Sequence, residues 1–126
     1  RKDMSKNILV IDDDVMITKS LQKLLKKERY TVTIVDNGKN ALDTVRAGDF
    51  DLLICDIRMP HMDGIETIEA IRKERQAQKK RPIKEIIITG YADEEKYKSA
   101  VNLKVADYIY KPFDIKDLLD AVKRNL

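Results

Sequence analysis

Residues 7–14 read NILVIDDD, and this stretch begins the pattern from which the fold can be predicted. A run of four apolar residues, three of them β-branched, stops at three aspartates. So short and fully apolar a run is typical of a strand that is buried on both faces of a parallel sheet. The next segment, Val15–Lys27, carries Ile17, Leu21 and Leu24 at helical spacing between lysines, which predicts an amphipathic helix.

The alternation of strand and helix continues to the end of the chain. Further strands are predicted at Thr31–Val35, 51–55, 85–89 and 106–110. Further helices are predicted around Ala41, ending at Gly48, and at 64–75, 93–102 and 114–126. Alternating strands and helices imply a parallel sheet with helices on both faces, joined by right-handed crossovers. We therefore predict an α/β fold, a flavodoxin-like (βα)5 three-layer sandwich whose five parallel strands have the order 2-1-3-4-5.

The length, charge and cysteine count exclude several classes of protein. The 126 residues suit a single domain, 1–126, and we expect residues 1–5 to be a polar start that is either disordered or artificial. The 25 basic and 22 acidic side chains give a net charge of +3, too balanced to require a nucleic acid partner. One cysteine excludes an internal disulfide, and no apolar run approaches the ~20 residues of a membrane span. We therefore expect a cytoplasmic protein that contacts neither a membrane nor nucleic acid directly.

Polar side chains stand where the predicted strands end. They are, in strand order, Asp12 and Asp13, Asp56, Thr89 and Lys111. Ligands of open parallel sheets bind at these strand ends. Carboxylates held close together repel unless a cation intervenes, and a hard divalent ion such as Mg²⁺ suits their oxygen atoms. A carboxylate beside such an ion can attack phosphorus, so the set predicts phosphoryl transfer with Asp56 as the nucleophile.

Each of these residues alone has an ordinary structural explanation. An aspartate after a strand commonly caps the next helix, and Lys111 followed by Pro112 would by itself indicate only a turn. The combination favours a site because acidic, hydroxyl and basic side chains each end a different strand, where such sheets bind their ligands.

The chain resembles the receiver domain of two-component response regulators over essentially its whole length. The matching stretches are ILVIDDD, DLLICDIRMPHMDG, EIIITGYAD and ADYIYKPFD. The resemblance implies that Asp56 accepts a phosphoryl group from the phosphohistidine of a histidine kinase or a histidine phosphotransfer protein. It also implies that Mg²⁺ is held by Asp12, Asp13, Asp56 and the backbone carbonyl of Arg58, with Asp13 as the more direct ligand of the acidic pair. Such a domain catalyses its own phosphorylation and slow autodephosphorylation.

The resemblance further implies a switch. Thr89 and Lys111 would contact the phosphoryl group, and Tyr108 would turn inward when Thr89 moves toward it. Phosphorylation would then favour a pre-existing active state of the face formed by the fourth helix, fifth strand and fifth helix. That face would control an output domain or a downstream protein, in a monomer or a phosphorylation-dependent dimer. The bond between Lys111 and Pro112 is often cis in this family.

Three further features have open roles. Asp14 either faces solvent or caps a helix. Arg58 and Tyr91 border the implied site, and we hypothesise that they shield the phosphoryl group from water. The connector 74–81 is either a solvated loop or a docking patch for an acidic partner. The basic side chains of this region are Lys73, Arg75, Lys79, Lys80 and Arg81.

Other proteins with related chemistry fit less well. A haloacid-dehalogenase-type phosphatase has a second aspartate two residues after its nucleophile, where this chain has Arg58. A flavodoxin-like electron carrier or a dinucleotide-binding domain has a hydroxyl- or glycine-rich loop after the first strand, where this chain has three aspartates. The remaining alternative is a receiver-shaped module that binds other proteins and is never phosphorylated.

Overall fold

Strands and helices alternate along the chain, as the sequence pattern predicts. The computed structural model describes residues 5–90 and 94–126, and for 94–97 the backbone alone. The strands are β1 (Asn7–Ile11), β2 (Thr31–Val35), β3 (Leu52–Asp56), β4 (Lys84–Gly90) and β5 (Asp107–Lys111). The helices are α1 (Val15–Lys27), α2 (Gly38–Ala47), α3 (Gly64–Ala77), α4 (Glu94–Leu103) and α5 (Ile115–Arg124).

The five strands form one parallel sheet in the order β2-β1-β3-β4-β5, which confirms the predicted topology. The register pairs Ile11 with Cys55, so β1 and β3 end side by side. On the other side of β3, Asp56 pairs with Ile88 of β4. Residues that follow β1 and residues that end β3 are thereby brought to the same edge of the sheet.

The core consists of two apolar layers, one on each face of the sheet. Helices α2, α3 and α4 cover one face, and α1 and α5 cover the other. Successive residues of β1 alternate between the layers, with Leu9 on the first face and Val10 on the second, both fully buried. Full burial of one such side chain contributes about 1.5–3 kcal/mol. None of the helices in the described part of the chain has the length and apolarity that a bilayer crossing requires.

Several element ends differ from the predictions by one or two residues. β3 begins at Leu52 rather than at Asp51, which exchanges two hydrogen bonds with the backbone of Asn7, both of 2.8 Å. It ends at Asp56 because this residue still pairs with Ile88 of β4. β5 likewise includes Lys111, and β4 is one residue longer at each end than predicted. Asp93, the predicted start of the fourth helix, lies outside the described residues.

Aspartates stand at helix N-termini, where a carboxylate can accept backbone N–H groups. Asp14 caps α1 by accepting from the N–H groups of Met16 and Ile17, at 3.0 and 3.3 Å, so the capping role predicted as one alternative is confirmed. Asp114 occupies the same position before α5, but its side chain makes no capping hydrogen bond.

The predicted connector 74–81 is only partly a loop. Its first four residues belong to the last turn of α3. The sequence Glu-Arg-Gln-Ala is polar, which is typical of a loop, but all four residue types have good helix propensity. Arg75 is buried, and its guanidinium donates to the carbonyl of Arg81 at 2.8 Å and to the carboxylate of Asp49 at 3.0 Å. The prediction that Arg75 belongs to an exposed basic region is therefore wrong.

Candidate functional site

Three carboxylates gather where β1 and β3 end. Asp12 and Asp56 are buried, with 2% and 6% of their surface exposed, whereas Asp13 is exposed. One carboxylate oxygen from each of the three lies within 4.8 Å of the others. The pairing of β1 with β3 brings them together, as the predicted strand order requires.

Lys111 joins the two buried carboxylates. Its Nζ lies 3.3 Å from Oδ2 of Asp56 and 3.5 Å from Oδ2 of Asp12. Lys111 ends β5, and β4 separates that strand from β3, so the long side chain extends past the end of β4. The peptide bond between Lys111 and Pro112 is cis.

The electrostatics of the cluster favour an additional cation. The pKa of Asp12 is raised to about 6, chiefly because burial disfavours its charged form. The N–H of Asp14, 2.9 Å from Oδ1 of Asp12, opposes this shift, the charge of Asp56 adds to it, and Lys111 opposes it. One ammonium cannot balance three carboxylates, and an all-oxygen donor set fits a hard divalent ion such as Mg²⁺.

The loop after β3 packs tightly against Asp56. The N–H of Gly64 donates to the carbonyl of Ile57 at 2.8 Å, and the N–H of Arg58 contacts Oδ1 of Asp56 at 3.4 Å. A Cβ atom on Gly64 would overlap the carbonyl oxygen of Asp56 and would lie 2.8 Å from Cα of Ile57. Gly64 is thus a site position that the sequence analysis did not single out. The dipeptide Asp63-Gly64, a common turn and cap signal, could have indicated it.

Thr89 and Tyr108 occupy the neighbouring strands β4 and β5. Thr89 is buried near the end of β4, and its hydroxyl donates to the carbonyl of Gly90 at 3.3 Å. Tyr108 is half-buried, and its hydroxyl donates to the carbonyl of Ala100 in α4 at 2.9 Å. Tyr108 therefore connects β5 to α4. Tyr91, which we predicted to border the site, lies outside the described residues.

An open cavity of about 570 Å³ adjoins the acidic cluster. Asp13 lines it on one side, and Arg58 and His61 from the loop after β3 line it on the other. Both Arg58 and His61 are exposed, so the cavity has room for a donor molecule to approach from solvent.

Cys55 is buried next to Asp56, and burial raises the pKa of its thiol well above the ordinary range. Cys55 is therefore a packed thiol rather than a reactive group of the site.

A family model described as the response regulator receiver domain matches residues 8–123. The chain belongs to the response regulator receiver domain family. Similar curated relatives include the transcriptional regulatory protein ZraR of Escherichia coli (strain K12), 37% identical over 120 residues, which cover 95% of this chain and 26% of that protein. The transcriptional regulatory protein CrdR of Helicobacter pylori is 32% identical over 121 residues, 96% of this chain and 55% of that protein. The receiver domain thus spans only part of the length of these relatives.

Solved structures resemble the receiver domain over nearly its whole length. A CheY-like response regulator receiver domain protein from Methanospirillum hungatei JF-1 is 34% identical, with a TM-score of 0.85 and coverage of 96% of this chain and 93% of that chain. The chemotaxis protein CheY4 of Vibrio cholerae is 26% identical, with a TM-score of 0.86 and coverage of 98% of this chain and 100% of that chain. Both the family resemblance and the fold predicted from the sequence are confirmed.

Proposed function

We propose that this receiver domain accepts a phosphoryl group on Asp56 from the phosphohistidine of a histidine kinase or a histidine phosphotransfer protein. The observation that carries the proposal is the contact of 3.3 Å between Nζ of Lys111 and Oδ2 of Asp56 within a group of three carboxylates. A lone structural aspartate needs neither the extra carboxylates nor the ammonium. Membership of a family whose typical function is phosphorylation supports the same conclusion.

Asp56 is the nucleophile. One of its carboxylate oxygens attacks phosphorus, a P–O bond forms, and the P–N bond of the phosphohistidine breaks, so the imidazole leaves and takes up a proton. Since Asp56 is buried, few water molecules have to be removed from it before the attack. Lys111 places a positive charge beside the acceptor, which stabilises the negative oxygens of the transferred group.

The acidic cluster provides a magnesium site. Its proposed ligands are the carboxylates of Asp12, Asp13 and Asp56 and the backbone carbonyl of Arg58. When bound, Mg²⁺ would neutralise these carboxylates and stabilise charge on the phosphoryl oxygens. Of Asp12 and Asp13, the exposed Asp13 is the more direct ligand. The carboxylate of Asp12 is held in place because its Oδ1 accepts the N–H of Asp14.

The switch acts through Thr89 and Tyr108. The hydrogen bond of 3.3 Å from Thr89 to Gly90 is long, so the hydroxyl can exchange it for a phosphoryl oxygen at small cost. Tyr108 touches α4 through Ala100, so a change near Thr89 alters the face formed by α4, β5 and α5.

Arg58 and Tyr91 shield the phosphoryl group from water and slow its autodephosphorylation, which an Arg58→Asn/Tyr91→Ala variant would accelerate.

The partners follow from the same chemistry. The receiver domain takes its phosphoryl group from a histidine-containing donor and acts on an output domain or a downstream protein, as a monomer or a phosphorylation-dependent dimer. Support for an output domain comes from the names of ZraR and CrdR, both transcriptional regulatory proteins. The single cysteine, a buried free thiol, suits a reducing cytoplasm.

Intact-mass measurement with acetyl phosphate and Mg²⁺ tests the proposal. We expect one phosphoryl adduct on the wild type, no adduct on Asp56→Asn, and none after chelation of the metal. Asp36→Asn is the matched control, because Asp36 is an exposed aspartate that follows β2 at the same edge of the sheet but lies outside the cluster. No adduct under any Mg²⁺ condition would favour an interaction module that is never phosphorylated. Release of phosphate over many turnovers would favour a phosphatase.

A further inference from the structure

A second cavity lies at the opposite edge of the sheet from the acidic cluster. It measures about 670 Å³, which is within the range of ligand-binding pockets. It is bounded by the end of α3, the start of β4 and the loop between α4 and β5. We call it the basic groove. The residues of the basic groove that could contact a ligand are Lys80, Pro82, Ile83, Lys84, Lys104 and Ala106.

The two arginines of the basic groove are already engaged. Arg72 donates from Nε and Nη2 to both carboxylate oxygens of Glu85, at 2.8 and 2.7 Å. Arg75 is held by Asp49 and by a backbone carbonyl. Among the described residues that line the groove, the positive charges outside these pairs belong to three exposed lysines, of which Lys80 also interacts with the exposed carboxylate of Asp49.

These lysines line the groove together with two apolar residues, Pro82 and Ile83. Lys80, Lys84 and Lys104 are all exposed, whereas Ile83 is only 5% exposed and forms part of the core. The three ammonium groups come from three different segments, the loop after α3, the start of β4 and the loop after α4. Separated positive charges beside apolar residues complement separated carboxylates on either side of an apolar side chain.

An acidic polypeptide fits this arrangement better than a phosphate or a nucleic acid does. Bidentate recognition of phosphate uses free guanidinium groups, and both arginines of the groove are bound to carboxylates. Binding of single-stranded nucleic acid uses aromatic side chains for base stacking, and the described lining of the groove contains none. Lysines, as point charges, pair well with carboxylates spaced along a flexible chain.

We propose that the basic groove binds an acidic polypeptide segment of a partner protein. Carboxylates of that segment pair with Lys80, Lys84 and Lys104, and an apolar side chain between them rests on Pro82 and Ile83. This site differs from the basic connector predicted from the sequence. Arg75 serves an internal role, and Lys84 and Lys104 come from outside the connector.

The basic groove is independent of the phosphoryl chemistry. The groove includes Lys84, the first residue of β4, and therefore lies at the amino ends of the strands. The acidic cluster lies at their carboxyl ends, where β1 and β3 end. Binding can therefore be measured on unphosphorylated protein and on Asp56→Asn, so a failure of this proposal does not affect the proposed role of Asp56.

The test is an NMR titration of the ¹⁵N-labelled receiver domain with the capped peptide DEELEED. We expect amide shifts centred on Ile83, Lys84 and Lys104, which weaken as salt is raised because exposed ion pairs are screened. The neutral peptide NQQLQQN, inorganic phosphate and an oligo-dT of ten nucleotides are the comparison ligands, and each should bind the groove more weakly. Shifts that centre elsewhere, no binding at low salt, or equal binding of the neutral peptide would overturn the proposal. Tighter binding of oligo-dT at the groove would replace it with a nucleic acid site.

Charge-reversal variants separate the groove from general charge effects. Lys84→Glu/Lys104→Glu should weaken binding of DEELEED by about tenfold or more, since two attractions become repulsions. Lys19→Glu/Lys23→Glu makes the same charge change on exposed positions of α1 and should alter binding by less than about twofold. The milder variant Lys80→Gln/Lys104→Gln provides the same comparison if the reversal disturbs folding. Equal losses in the groove and control variants would show that net charge alone attracts the peptide.

Discussion

Replacing Gly64 by alanine should disturb both the stability of the domain and the position of its phosphoacceptor. The added Cβ would overlap the carbonyl oxygen of Asp56 and approach Cα of Ile57 to 2.8 Å. Both neighbours are backbone atoms, so neither can rotate away as a flexible side chain would. The N-terminus of α3 must move from β3, and this movement weakens the hydrogen bond of 2.8 Å from Gly64 to Ile57.

The size of the effect follows from these contacts. Overpacking of a well-filled interior costs about 1–3 kcal/mol, and the weakened hydrogen bond adds about 1 kcal/mol. Alanine has a better helix propensity than glycine, which offsets this loss of stability by less than about 1 kcal/mol. We expect the free energy of unfolding of Gly64→Ala to fall by about 2–3 kcal/mol, or roughly 10 °C in melting temperature. Displacement of Asp56 should also slow phosphorylation, because a shift of about 1 Å at a reacting group can cost 100-fold in rate.

Urea denaturation and the intact-mass time course with acetyl phosphate measure the two effects. Gly90→Ala is the matched control, since Gly90 ends β4 and an added Cβ there meets no atom of the described residues within 4 Å. The control should change the free energy of unfolding by less than about 1 kcal/mol, because the φ angle of Gly90 is not positive and suits alanine as well. If Gly64→Ala unfolds at the same urea concentration as Gly90→Ala, the tight approach of α3 to Asp56 does not limit the structure and the reasoning is refuted.

Three further predictions concern charge. The pKa of Asp12, raised from 3.8 to about 6, means that the folded protein without Mg²⁺ binds this proton more tightly than the unfolded chain, so stability falls as pH rises through that interval. In urea titrations at pH 7 with chelator, Asp12→Asn should therefore be more stable than wild type by up to about 3 kcal/mol. Near pH 4 the two proteins should be equally stable. The same difference in stability at both pH values would contradict this reasoning. Saturating Mg²⁺ should add about 1–3 kcal/mol to the stability of the wild type and much less to that of Asp13→Asn in thermal melts, whereas equal gains would argue against Asp13 as a ligand. Arg75→Met should cost about 2–3 kcal/mol in urea denaturation, because the buried guanidinium of Arg75 donates two hydrogen bonds. Arg46→Met, which breaks exposed ion pairs, should cost less than about 1 kcal/mol. Similar costs for both would mean that burial of Arg75 contributes little.

The strand order and the acidic cluster could be predicted because both depend on local patterns. Buried parallel strands appear as short apolar runs, such as the one that precedes Asp12, and their polar ends mark the edge where ligands bind. Once β1 and β3 are neighbours, Asp12 and Asp56 must meet. Prediction of the strand ends was less accurate, because whether Asp51 or Asp56 belongs to β3 depends on hydrogen bonds to other strands.

Features that depend on contacts between distant segments could not be predicted. Arg75 looks like a surface residue in sequence, and its burial accompanies hydrogen bonds to Asp49, 26 positions earlier, and to the carbonyl of Arg81. The close approach of Gly64 to Asp56 likewise depends on the path of the loop between them. The basic groove combines Lys80 and Lys84 with Lys104, which stands about twenty positions further along the chain. No local pattern brings these lysines together, because the packing of α4 against the sheet does so.

The acidic cluster and the basic groove give the molecule an uneven field despite its small net charge of +3. Negative charge is concentrated at the carboxyl ends of β1 and β3, and positive charge at the amino end of β4. Such a separation is an electric dipole directed along the strands. An approaching charged partner exerts a torque on a dipole before contact, so partners of opposite charge should meet this domain at opposite ends. This preorientation should raise association rates at low ionic strength and fade as salt shortens the range of the field.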